Sequence, residues 1–325
     1  MRRLLSFVAK AAISVLLLYL SLRRVNLDSL GQRLSELDWR WVAAIFATMT
    51  VQVGFNALRW RNIAEVCGAR LRTKTALTYS FIGQFFSQVL PSTVGADAVR
   101  IWLLARGGAG WPTAIYSVLI DRVVGVTALA ILVVASLPWS LHLVQDPVAR
   151  TALVVIGFGA LAAAVVFLGL GMPRLIIMER WWATRHLATA SQLAWQLCRS
   201  SAALRVTGIA IAVHLLTVLA AWSAARAAHA SIDFVQTLFV VLPVILIANI
   251  PISIAGWGVR EGAMVMAFSY AGLAEGDGLI VSILYGATSL AVGAVGGIVW
   301  ASSGYRWSSV KTLEAETLAH EHERP

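Results

Sequence analysis

Six charged side chains stand where the sequence is otherwise apolar: Asp97 and Arg100, Asp121 and Arg122, Arg260 and Glu261. A guanidinium carries fixed donors that match a phosphate or a carboxylate in two-point contact. A carboxylate beside it is either its counter-ion or a base. Placing such a group at the centre of a membrane helix costs at least about 2.5–3.5 kcal/mol on insertion scales, so charges there have a partner or a function. Asp97 and Arg100 are three residues apart and share one helix face. Asp121 and Arg122 are adjacent, diverge by about 100° around a helix, and therefore need partners besides each other.

Two of these pairs follow breaks. "VLPSTVGADAVR" leads to Arg100 and "NIPISIAGWGVR" leads to Arg260. Each proline precedes its arginine by nine residues, and the two stretches are offset by 160. Pro91 and Pro251 cannot donate to a helix ladder. Ser92 and Thr93 in one break, and Asn249 and Ser253 in the other, supply groups that cap the next helix. Gly256, with Gly258, lets the chain turn and lets a ligand approach the backbone. A helix N-terminus at membrane depth presents free N–H groups and a positive dipole end, which suits an anionic phosphate. The plainer reading is a capped kink with Asp97–Arg100 as a local pair and Trp257 as an interface anchor. Arg59 and Arg61 in "NALRWRNI" read as headgroup or topology anchors at a span end. His214 lies in a span with no acid nearby in sequence.

The elements that must hold these residues are membrane helices. The 325-residue chain is 59% hydrophobic and only 13% charged, far below the charge of a soluble domain. Residues 4–22, 39–58, 113–137, 151–171, 206–225 and 278–301 are long enough to cross about 30 Å of hydrocarbon. Residues 76–106 and 234–271 are apolar but broken. If both broken segments enter and leave on one face, 17 of the 26 Lys and Arg fall on the cytoplasmic side and six opposite; if both cross fully, the split is 13 to 10. The positive-inside rule favours the first arrangement. The fold class expected is an all-α polytopic membrane protein with about six full spans and two broken, re-entrant segments in an inverted repeat. Broken helices at corresponding places in two inverted halves mark transport sites. Residues 1–304 form one membrane domain with half-repeats at 1–172 and 173–304, followed by a polar tail, 305–325. Residues 173–204, with Trp181, Trp182 and Trp195, read as an amphipathic helix on the cytoplasmic leaflet.

The net charge of +10 sits mostly in short loops, so it signals topology and anionic headgroups and not nucleic acid. Cys67 and Cys198 suggest neither a disulfide framework nor a metal site. No G-x-S-x-G, H-E-x-x-H, Walker A or H-x-x-x-x-D box occurs, and no cofactor is expected.

Taken together, "FNALRWRNI", "GQFFSQVLPSTVGADAVRIWLLAR", "SVLIDRVVGV", "PISIAGWGVREGAMV" and "YGATSLAVGAVGGIVW" resemble the flippase-like family named for the transmembrane region of lysylphosphatidylglycerol synthase. The resemblance covers nearly the whole chain. It implies translocation of a lipid and, since the sequence stops at Pro325 without an aminoacyl-transferase domain, not aminoacylation. Stand-alone relatives are associated with varied lipids, including hopanoids and polyprenyl-linked sugars, so the substrate does not carry over. The family's polar motifs fall on Arg59, Pro91, Ser92, Gly95, Asp97, Arg100, Asp121, Arg122, Gly256, Gly258, Arg260 and Glu261. Ala96 departs from a glycine that many relatives show.

The expected function is therefore a flippase-like carrier of an anionic lipid in the bacterial inner membrane, with both termini cytoplasmic. It is not expected to be an enzyme. Its expected partners are membrane lipids, anionic ones first, together with lipid-synthesis or glycosyltransferase enzymes. The rivals are a membrane transferase using a lipid-phosphate donor, with Asp97 or Asp121 as base, and a scaffold for envelope synthesis.

Overall fold

A computed structural model describes Gly31 and residues 35–90, 95–171, 182–249 and 257–303. The expected first span at 4–22, the tail at 305–325, and Pro91, Ser92, Thr93, Pro251, Ser253, Gly256 and Trp181 lie outside the described residues. Among the described residues the chain forms helices and no strands: α1 Trp39–Val66, α2 Thr73–Val89, α3 Gly95–Leu104, α4 Trp111–Leu143, α5 Pro147–Gly169, α6 Trp182–Arg199, α7 Ala203–Ala227, α8 Phe234–Ala248, α9 Val259–Tyr270 and α10 Glu275–Ser302.

Their ends follow local chemistry. Asp38 caps α1 by accepting from Arg40 N at 2.9 Å. Asp146 accepts from Ala149 N at 2.7 Å, with Pro147 opening α5 where its missing N–H costs nothing. Asp233 and Gln236 form a reciprocal capping box on α8. A π-type turn, Ala105–Ala109, ends α3, and Gly108 there has φ +96, a value that favours glycine.

Five helices, α1, α4, α5, α7 and α10, are long and apolar enough to cross a membrane. They correspond to five of the six expected spans. All five are longer than the hydropathy pattern suggested, α1 and α4 most of all. α1 continues past residue 58 to Val66, and α4 starts at Trp111. The extension of α1 carries Arg59 inside the protein, where an acid neutralises it.

Contacts fix the run of the helices. Beside α2, Gly95 lies against Phe86 and Leu90, Gly83 against Ala96 and Arg100, and Gly107 against Tyr79. The order reverses along the chain, so α3 returns antiparallel to α2. On α10, Gly278 meets Met264 and Phe268 of α9, and Gly286 meets Arg260 and Trp257. Further along, Ser289 bonds to Gln84 and Gln88 of α2, and Gly296 meets the Phe81 carbonyl. α10 is thus antiparallel to both α9 and α2. It follows that α3 and α9, the two arms that succeed the breaks, run in opposite directions.

The contact residues Gly278, Ser282, Gly286, Ser289, Gly293 and Gly296 recur every three or four positions and make one small-residue face of α10. Small residues let membrane helices approach closely where no hydrophobic force drives them together. The N-terminal half of this face takes α9 and the C-terminal half takes α2.

α6 is amphipathic, and part of its apolar face packs on the protein. Ala194 and Leu197 pack with Ile63, Ile120 and Val206. Trp195 Nε1 and Ser191 Oγ donate to the Leu168 carbonyl at 2.8 and 2.9 Å. Protein thus covers part of the apolar face of this amphipathic helix.

Candidate functional site

Five charges from three helices form one chain of ion pairs. Arg59 Nε, on α1, donates to Asp121 Oδ1 of α4 at 2.8 Å. Arg100 Nη1, on α3, donates to Asp121 Oδ2 at 3.1 Å, and its Nη2 to Asp97 Oδ1 at 2.7 Å. Arg122 closes the series on Asp97, Nε to Oδ2 at 2.6 Å and Nη2 to Oδ1 at 3.0 Å. Adjacent placement of Asp121 and Arg122 points one toward α1 and the other toward α3, so each finds a partner on a different helix. Three arginines against two aspartates leave one positive charge.

Four of the five groups are buried: Asp121 is 1% exposed, Arg59 and Asp97 6%, and Arg100 7%. Burying ions is expensive unless they are paired and bonded, and every one of these is. Arg122 differs, with its side chain 46% exposed. It is the open end of the network. The Arg100 guanidinium also lies 5.0 Å from the Trp60 ring centre, and Trp60 is fixed by its Nε1–H bond to Ser117 at 3.2 Å.

Two polar chambers flank the pairs and share Asn56, Arg59, Asp121 and Arg122 as their common wall. The first, about 190 Å³, lies toward α2, with Ser80, Gln84 and Arg100. Ser80 Oγ and Arg100 Nε are buried there without a hydrogen-bond partner among the described residues. The second, about 200 Å³, lies toward α7, α8 and α10, with Gln52, His214, Thr217, Asn249 and Tyr285. His214 Nε2 is 2.9 Å from the Gly125 carbonyl, and Gln52 Nε2 donates to Thr217 Oγ1 at 2.6 Å. A separate apolar cleft of about 470 Å³ opens between α4, α5, α8 and α9. It touches none of the five network charges.

The second break leads to a different arrangement. Arg260 Nη2 donates to Glu261 Oε1 at 2.6 Å, and Nε to Ser282 Oγ at 3.0 Å. Glu261 Oε2 accepts from Gly258 N at 2.6 Å and so caps α9. The guanidinium lies 5.0 Å from the Trp257 ring centre and 5.5 Å from that of Tyr285. Gly286 provides the space for it: a Cβ there would meet Arg260 Nη2. Arg260 is therefore a clamp between α9 and α10. It borders the second chamber through Tyr285 and not directly.

Of the residues singled out in the sequence, Asp97, Arg100, Asp121 and Arg122 come together in one network, and Asn249 reaches the second chamber. Arg260 and Glu261 form the clamp. Arg61 bonds to Glu65 at 2.6 Å on a partly exposed turn of α1. Arg59 does not fit the anchor reading. It is buried on Asp121, and Gly125 leaves room for its guanidinium, which a Cβ would approach at 3.4 Å. Gln52, Asn56, Ser80, Gln84, Thr217 and Tyr285 were not anticipated. Their only sequence signal is an uncharged polar group inside an apolar run.

The network joins the "NALRWRNI", "VLPSTVGADAVR" and "SVLIDRVVGV" stretches within a bundle of membrane-length helices. A family model described as the lysylphosphatidylglycerol synthase TM region matches residues 7–297. The chain belongs to that family. As a member of the lysylphosphatidylglycerol synthase TM family it is a multi-pass membrane protein, and the match takes in both breaks, all five network charges and the Arg260–Glu261 clamp. A comparison with curated proteins returned no match.

Proposed function

We propose that this protein carries an anionic lipid headgroup between the leaflets of the bacterial inner membrane, as a flippase and not as an enzyme. The carrying observation is the surplus positive charge of a buried arginine network that opens at Arg122 onto two polar chambers. Intramembrane charges of this kind face cavities and substrate pathways.

The geometry supplies a mechanism. Asp97 holds Arg122 with both carboxylate oxygens. A phosphate is a competitor of the same shape and charge for that fork. On this reading the headgroup phosphate displaces Asp97 from Arg122, which removes one of the two ion pairs between α3 and α4 and leaves Arg100–Asp121 as the other. Arg59 and Arg100 keep Asp121 in place and set the floor of the site, while acyl chains remain in lipid along the apolar cleft. The opposed directions of α3 and α9 support an inverted pair of broken segments, here read as re-entrant, moving about α10 by alternating access. Arg260 acts by positioning Tyr285. Asp97 and Asp121 each answer two arginines, which leaves neither as a free base and favours transport over a transferase reading.

The test is translocation in liposomes containing the full-length protein and fluorescent phosphatidylglycerol. Wild-type protein is expected to expose inner-leaflet lipid to an external quencher, and Arg122→Gln to slow this at least tenfold. Unchanged rates after removing the charges of Arg100, Arg122 and Arg260 together would overturn the proposal.

A further inference from the structure

We infer that the apolar cleft between α4, α5, α8 and α9 is a second binding site, for a neutral lipid whose one polar group is a hydroxyl. The cleft touches none of the five network charges, so this site is separate from the one proposed for transport and does not depend on it. Its volume of about 470 Å³ and its walls, apolar with few polar groups, are those of a small-ligand pocket.

The walls set the body of the occupant. α9 borders the cleft from Gly258 to Tyr270, and its 12 residues rise about 18 Å. One leaflet's share of a hydrocarbon layer is about 15 Å. The cleft is therefore about as long as one leaflet is deep, and it ends at Gly258, just after the second break. None of its lining residues is charged, so a phosphate drawn into it would be buried without a partner. A hydrocarbon chain suits these walls and an ionised group does not.

Two polar groups on the walls set the rest. Ser140 lines the cleft and is 2% exposed, and its Oγ has no hydrogen-bond partner among the described residues. Ser117 and Ser136 of the same helix donate to the carbonyls of Ala114 and Val133, the usual outlet for a helical hydroxyl. Ser140 takes no such outlet, and a buried hydroxyl left unbonded is costly. On α8, Pro243 lies inside the helix and has no N–H to give the Phe239 carbonyl four residues back. Phe239 and Pro243 both line the cleft, so the gap in the ladder is on that face. The Trp139 and Phe239 rings stack with centres 6.0 Å apart and planes 5° apart, which sets Ser140 and Phe239 at one level. A hydroxyl in want of an acceptor thus shares the cleft with a carbonyl short of a donor. An alcohol serves both: its oxygen accepts from Ser140, which turns about one bond to meet it, and its hydrogen goes to the Phe239 carbonyl. Tyr270, the other hydroxyl among the lining residues, is only half-buried and does not depend on a ligand.

The test is photolabelling of the full-length protein in phosphatidylcholine nanodiscs with a diazirine-bearing hexadecanol, the label being mapped by peptide mass spectrometry. The competitors share one chain: hexadecanol, its methyl ether, hexadecane and hexadecyl phosphate. The label is expected on α8 and α9 along the cleft, and hexadecanol is expected to compete about tenfold better than hexadecane. The ether, which accepts but cannot donate, is expected to fall between them, and the phosphate below the alcohol. Ser140→Ala is expected to remove the advantage of the ether over the alkane. Pro243→Ala, which restores an N–H for Phe239, is expected to remove the advantage of the alcohol over the ether. Unchanged competition by the alkane reports that the cleft of each variant is intact; if Pro243→Ala alters it, Ser140→Ala alone decides. Equal competition by alcohol and alkane overturns the inference and leaves a plain apolar slot whose polar groups hold water. Strongest competition by the phosphate overturns it in favour of a phospholipid chain. A label that maps elsewhere, or an order that Ser140→Ala does not change, overturns it as well.

Discussion

At the scale of single residues, Asp121 and Arg122 are neighbours in sequence with different work. Asp121 lies between two buried guanidiniums. Asp121→Asn would leave Arg59 and Arg100 facing a neutral amide, and removing one member of a buried pair costs about 3–5 kcal/mol. Arg122 is half exposed, where charge pairs contribute little to stability. Arg122→Gln is therefore expected to leave thermal unfolding of the detergent-solubilised protein within a few degrees of wild type while abolishing lipid binding. Asp121→Asn is expected to melt far lower. An equal loss of stability in both variants would show that Arg122 is structural. These four network residues on α3 and α4 were legible in the sequence because charge in an apolar run is costly and so conspicuous. Arg59 was misread for a physical reason: a cation near the end of a hydropathy segment looks the same whether it snorkels to the surface or turns inward to an acid 62 positions away. Thr217 and Tyr285 were not legible at all. An uncharged hydroxyl in a membrane helix often bonds its own backbone, as Thr217 does to Val213 O at 3.0 Å, and sequence does not say which hydroxyls also face a cavity.

At the scale of elements, the apolar runs revealed every described membrane-length helix, because about twenty apolar residues have few other uses. They did not reveal how the helices touch. That information lies in the small-residue face of α10, which joins the two broken elements. A Cβ on Gly296 would run into the Phe81 carbonyl. Backbone cannot step aside as a flexible side chain can, so α2 and α10 must separate. Overpacking of this kind costs about 1–3 kcal/mol. Gly208 in α7 has nothing within 4 Å of its would-be Cβ, and alanine is the better helix former there. Gly296→Ala is thus expected to lower the melting temperature and Gly208→Ala to hold or raise it. Similar behaviour of the two would remove the case for α10 as the shared axis. Gly286→Ala probes the other half of the face. It presses on Arg260 and Trp257 rather than on α2, so its effect should be rescued in part by Trp257→Ala.

At the scale of the whole molecule, the question is which loops lie on which side, and two positions answer it in opposite senses. With a cytoplasmic N-terminus, if the segment around the first break returns to the face it entered from, α6 is cytoplasmic and the loop between α4 and α5 is periplasmic. If that segment crosses, the two exchange sides. Cys198 marks the first location and is exposed. Gln145, exposed between α4 and α5, marks the second when replaced by cysteine in a Cys198→Ser background. The remaining thiol interferes little, because burial pushes Cys67 up to about 11, and a thiol far above ambient pH is almost entirely protonated and unreactive. With a membrane-impermeant maleimide at neutral pH, intact spheroplasts are expected to leave Cys198 unmodified and to label Gln145→Cys. Inverted vesicles are expected to give the reverse. The charge distribution points the same way, since the arrangement that hides Cys198 is the one that places most arginines inside. Labelling of Cys198 from outside, with protection of Gln145→Cys, would make the first broken segment a full span. It would also move the open end of the arginine network, at Arg122, from the cytoplasmic half of the bilayer to the periplasmic half, and so reverse the leaflet from which the site first meets its lipid.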